Sequence, residues 1–152
     1  MLDASLALSA FIASGVLDTV TTMMCGTAYG YSYESSTLVR DVVGSAGITG
    51  LFALKAVATL ICLALLYVIA SHPLLRYPVR GLMVGVTIVG LFAGISNMDA
   101  LWSGSSIFIF GIAANYIAYV LLVLSLVCGI LFAAWKRDQI KAELAQPNIP
   151  LR

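Results

Sequence analysis

Four long apolar runs, separated by short polar stretches, set the pattern of this chain. They cover roughly residues 4–29, 46–71, 79–101 and 106–135. The runs are continuous rather than alternating, which points to helices and excludes the strands of a membrane barrel. Each is long enough to cross a hydrocarbon core of about 30 Å at about 1.5 Å per residue, with some tilt. Residues 81–98 and 107–135 contain no Lys, Arg, Asp or Glu, and an uncharged run of more than about 18 residues is a membrane span. The pattern predicts an all-α protein, a polytopic transmembrane four-helix bundle. A single transmembrane domain over residues 1–147 is followed by a tail at 148–152. The first run reads as a retained helix rather than a cleaved leader. No Lys or Arg precedes it, and Asp18 interrupts its apolar stretch.

Two connections predict more than a turn. Residues 30–45 form the longest one, and S-S-T-L-V-R-D-V-V-G within it reads as a short helix, with Ser36 capping its start and Gly44 its end. Leu38, Val39, Val42 and Val43 would lay that helix on the membrane surface. After Trp135, K-R-D-Q-I-K-A-E-L-A-Q-P reads as the fourth helix continuing beyond the membrane to about Pro147.

Composition strengthens this picture. Hydrophobic residues make up 61% of the 152 and charged residues only 10%, against about 45–50% and about 25% in soluble domains. A net charge of +1 gives no basic face for nucleic acid. The placement of charge says more than its sum. Arg76, Arg80, Lys136, Arg137, Lys141 and Arg152, six of the eight basic residues, fall on one side of a four-span topology. The bias toward basic cytoplasmic segments then predicts both termini inside, in the plasma membrane of a cell. Trp102 and Trp135 at opposite ends of the fourth run, and Tyr29, Tyr31 and Tyr33 at the end of the first, fit as interfacial anchors.

The chemistry-bearing residues are few. Cys25, Cys62 and Cys128 lie in apolar runs without metal-ligand spacing, and His72 is the single histidine. Neither a disulfide framework nor a zinc site is expected, and no cofactor is implied. Asp18 is the most informative residue. A carboxylate inside a span costs about 2.5–3.5 kcal/mol on the insertion scale, so it needs a partner or a proton. Asp18, Thr21, Thr22 and Cys25 share a helix face. Lys55 lies at matching depth on the next, antiparallel run, with Thr59 and Cys62 continuing its face. Two readings stay open: an intramembrane Asp–Lys pair, structural or functional, or a Lys55 that snorkels to the headgroups. Asn97 and Asn115 are the other polar candidates within spans. Gly81/Gly85 and Gly90/Gly94 have G-x-x-x-G spacing, which favours close helix contact. G-V-L-D at 15–18 and G-I-S-N at 94–97 hint at an internal repeat. Glu34 and Asp99 sit at the outer ends of the first and third runs, so the outer half carries the polar content and the inner half no buried charge.

The stretch D-T-V-T-T, then G-Y-S-Y-E-S-S, then Lys55 in the next helix resembles a family of short four-helix prokaryotic membrane proteins, classed as a domain of unknown function. Its pattern is D-x-x-x-T in helix one, G-x-x-E-x-N-P in the loop, Lys in helix two and Asn near the outer end of helix three. Asp18, Thr22, Glu34, Lys55 and Asn97 match it, while Ser36-Thr37 stands where N-P would be. The resemblance implies one outer cluster of these residues and supplies no activity. Three functions remain in competition. One is an accessory subunit that packs among membrane lipids and other membrane subunits, or with itself, through small-residue faces. Another is an oligomeric ion-coupled carrier using Asp18 and Lys55. The third, an intramembrane enzyme, is disfavoured because no Ser–His pair or HExxH motif is present.

Overall fold

The protein is described from a computed structural model, which covers residues 2–30, 37–104, 108–109 and 112–145. Four helices are long and apolar enough to cross a membrane. α1 (Leu2–Tyr29) contains a π-helical segment, Phe11–Leu17, between two α-helical stretches. α2 (Thr37–Ile69) is broken at Gly47, whose φ of 69° and ψ of −175° interrupt the helix. α3 (Arg76–Ser103) ends on Gly104 in the left-handed conformation, which glycine adopts without a Cβ clash. α4 (Ala114–Trp135) completes the set, and α5 (Arg137–Leu144) follows after a break at Lys136.

The boundaries depart from the apolar runs in three places. The short helix does not stop at Gly44. Its backbone continues to Gly47, because a glycine with open space around it does not by itself end a helix. The fourth helix begins at Ala114 rather than near residue 106. Before it, β1 (Phe108–Ile109) and β2 (Ile112–Ala113) form a minimal antiparallel pair, in keeping with the β-branched and aromatic residues there. The tail is not an uninterrupted continuation of α4, since Lys136 leaves the helical region. Ser36, Tyr31, Tyr33, Pro147 and the side chains of Leu38, Val39 and Asn115 lie outside the described residues.

α3 is the central helix. It packs on α1 along one face and on α4 along another, while α2 leans on α1 and touches α3 more lightly. Nine residues along an α-helix make a half-turn offset, so Gly81 and Gly90, like Gly85 and Gly94, fall on opposite faces. The two glycine pairs therefore serve two neighbours. At Gly90 a Cβ would run into the backbone of Ala13 and Ser14, and at Gly94 into Leu17. At Gly81 it would run into the Ser125 carbonyl, and at Gly85 into Ser125 and Leu122. Gly129 answers from α4, pressed against Tyr77 and Pro78. Close backbone approach through small residues is the usual way to gain van der Waals contact in lipid, where no hydrophobic drive brings helices together.

α1 and α3 run parallel. The succession of contacts from Asp3 with Arg80, through Ala13 with Gly90 and Leu17 with Gly94, to Tyr29 with Leu101 advances in step along both helices. By contrast α2 and α4 show most of their side chains outward. Among the described residues of these two helices, only Leu51 and Leu63 of α2, and Gly129 of α4, are buried.

Candidate functional site: a charged clamp across three helices

The site grows from a helix irregularity. In the π segment the Asp18 amide donates to the Ala13 carbonyl, five residues back. Such a turn takes in one residue more than an α-helical turn, so everything beyond it is rotated by about 100° relative to an uninterrupted helix. The rotation brings Asp18, Thr21 and Thr22 onto the side of α1 that meets α2 and α3. Gly15, within the segment, lets Thr59 of α2 approach to van der Waals range.

Lys55 then reaches Asp18. Its Nζ lies 3.0 Å from Asp18 Oδ2, a charge-assisted hydrogen bond between α2 and α1. Snorkelling away from the carboxylate is thereby excluded in this conformation. Asn97 approaches the same carboxylate from α3. Its Nδ2 donates toward Asp18 Oδ1 at 3.4 Å, Thr21 Oγ1 at 3.1 Å and Thr22 Oγ1 at 3.2 Å. The two threonine hydroxyls donate to main-chain carbonyls one turn back, Thr21 to Leu17 and Thr22 to Asp18. Their lone pairs are left to accept from the amide, which fixes how Asn97 is turned. The Cys25 thiol donates to the Asn97 carbonyl at 3.1 Å. One asparagine thus ties α3 to four residues of α1, and one carboxylate ties α1 to both α2 and α3.

Four of the five expected residues, Asp18, Thr22, Lys55 and Asn97, come together; Glu34 lies outside the described residues. Thr21 and Cys25 join them, although only their position on the Asp18 face pointed that way. Thr19 had no signal at all. Its hydroxyl is fully buried with no hydrogen-bond partner among the described residues. The carbonyls a threonine normally folds back onto belong here to Val16 and Gly15, inside the π segment.

The other end of the molecule carries a second, partly covered ion pair. Arg80 grips Asp3 with two nitrogens, Nε on Oδ1 and Nη2 on Oδ2 at 3.0 Å. These side chains are 24% and 25% exposed, as well covered as Lys55 and Asp18 at 28% and 20%. Asp3 stands at the edge of the first apolar run with no basic residue near it in sequence, so only the parallel packing of α1 on α3 reveals the pair. Beside it Arg76 pairs with Glu143 at 3.1 Å and holds α5 against α3, while Ile140 of α5 is buried.

Among the described residues no group of three His, Cys, Asp or Glu could hold a metal ion. What the clamp offers chemically is a carboxylate facing an ammonium, with an amide and two hydroxyls around it: a neutral, hydrogen-bonded joint inside a span.

Fold and site together define a polytopic helical membrane protein whose first two spans are joined by an ion pair and whose third is tied to the first by an asparagine. The chain belongs to the family described as a domain of unknown function, DUF5658, whose model matches residues 9–105. That match takes in every described member of the clamp and ends as α3 ends, before α4. No curated protein and no solved structure matches the chain.

Proposed function

We propose that this protein is a small accessory subunit of a larger membrane assembly, seated in the plasma membrane of a prokaryote with both termini in the cytoplasm. The observation that carries the reading is the incomplete cover of the Asp18–Lys55 pair. The Lys55 side chain is left 28% exposed and that of Asp18 20% exposed within the spans, where contact with hydrocarbon is costly. A neighbouring helix laid over α2 would complete the cover. The outward apolar face of α2 supplies the surface for it, and the basic residues near α5 and the α2–α3 turn support the orientation.

A photo-crosslinking residue placed at Leu54 or Ala58, exposed on α2 beside Lys55, tests this in native membranes. A discrete adduct with another membrane protein or a second copy is expected from these positions and not from Leu131 on α4. Lipid adducts alone at every position would refute the subunit reading.

A second reading draws on the same pair. An ammonium and a carboxylate in contact within a span form a relay that an ion-coupled carrier could use. Proteoliposome flux abolished by Asp18→Asn and Lys55→Met would favour this carrier over a packing subunit, and flux that is absent or unchanged would remove it.

A further inference from the structure

Beside the clamp, on the outward side of α1 and α3, lies a groove of about 250 Å³ lined by Leu17, Gly94, Ile95, Met98, Asp99 and Trp102. Its floor is apolar, and Gly94 keeps it open where any side chain would press on Leu17. One end is different. Asp99 and Trp102, three residues apart, share a face of α3. Asp99 is exposed and no described basic side chain pairs with it. Trp102 is 85% exposed. Asp99 also stands near the carbonyl-rich C-terminus of α3, whose last turn carries no basic residue. A carboxylate there adds negative charge to the negative end of the helix dipole, an arrangement that a cation relieves.

We propose that this groove binds a phospholipid with an amine headgroup. Its ammonium would sit between the Asp99 carboxylate and the Trp102 ring, and one acyl chain would lie along Leu17, Gly94, Ile95 and Met98. The carboxylate supplies the charge, the indole face a cation–π contact, and the apolar floor the selectivity for a lipid over a free amine. An anionic headgroup would meet Asp99 and the helix terminus with like charge. The site is separate from the Asp18–Lys55 pair and does not depend on a partner protein.

The test uses the full chain in bilayers of equal phosphatidylethanolamine and phosphatidylglycerol with matched acyl chains, followed by extraction in mild detergent and native mass spectrometry of the retained lipid. Retention should favour phosphatidylethanolamine by about five- to tenfold. Asp99→Asn should bring the ratio near one, Asp99→Glu should keep it, and Trp102→Leu should lower it severalfold. Asp99 and Trp102 are exposed, so thermal melts of the variants should match the parent and separate lost binding from lost folding. Equal retention of both lipids, or an unchanged preference in Asp99→Asn, would overturn the proposal. So would displacement of the lipid by millimolar glycerophosphoethanolamine, since the groove would then contribute nothing.

Discussion

Replacing Lys55 with Met leaves the Asp18 carboxyl in a span with Asn97 and Thr22 as its remaining side-chain partners among the described residues. At the 3.0 Å separation of the pair the gross attraction is about 5.5 kcal/mol at an effective dielectric constant of about 20. Most of that offsets desolvation of the two groups. What the variant strands is a carboxylate whose insertion alone costs about 2.5–3.5 kcal/mol. Because both side chains are partly exposed, we expect a loss of about 2–3 kcal/mol for Lys55→Met. Asp18→Asn should cost less, about 1 kcal/mol: the amide keeps its contact with Asn97, and the long Lys55 stem carries its charge toward the headgroups. In the double variant no carboxylate is stranded, so its loss should fall below the sum of the singles by about 1–2 kcal/mol. Reversible unfolding in mixed micelles of rising SDS fraction, followed by helicity, measures all four proteins. Losses that add within about 0.5 kcal/mol would show that the two residues act independently and would refute the clamp.

The seams of α3 give sharper steric predictions. Gly90→Leu should destabilise the protein by about 2–4 kcal/mol in the same unfolding assay, because its side chain would enter the backbone of Ala13 and Ser14. Gly81→Leu should release α4 from α3 through the Ser125 carbonyl and leave the Asp18–Lys55 coupling intact, as a repeat of the double-variant cycle would show. Gly44→Ala, with nothing within 4 Å, should raise stability by roughly 0.5–1 kcal/mol, whereas Gly47→Ala at a φ of 69° should lower it by roughly 1 kcal/mol. Asn97→Leu should cost about 1–2 kcal/mol through the acceptors it leaves, and Asn97→Asp more, by placing two carboxylates together.

Much of this architecture is legible in the chain. Uninterrupted apolar runs have only one stable form in a bilayer, so four spans follow directly. The half-turn offset between the two glycine pairs of α3 already implies two neighbours. Depth matching brings Asp18 and Lys55 together, and the odd helices, where G-V-L-D and G-I-S-N hint at repetition, run parallel and set Asp18 beside Asn97. Other features leave no local trace. F-I-A-S-G-V-L has no signature of a π turn, yet that turn decides which way Asp18 faces. Asp3 is unremarkable until α1 lies along α3. The late start of α4 reflects residues whose apolar character reads as span while their β propensity favours a strand pair.

The most direct measurement of the central claim is the Lys55–Asp18 distance in a bilayer. Solid-state dipolar recoupling between lysine ¹⁵Nζ and aspartate ¹³Cγ, with Lys55→Met and Asp18→Asn as assignment controls, reads it without a membrane partner or substrate. The clamp predicts a separation of about 4 Å or less that is lost in both variants. A separation beyond about 6 Å, with Lys55 extended to the headgroups, would contradict it.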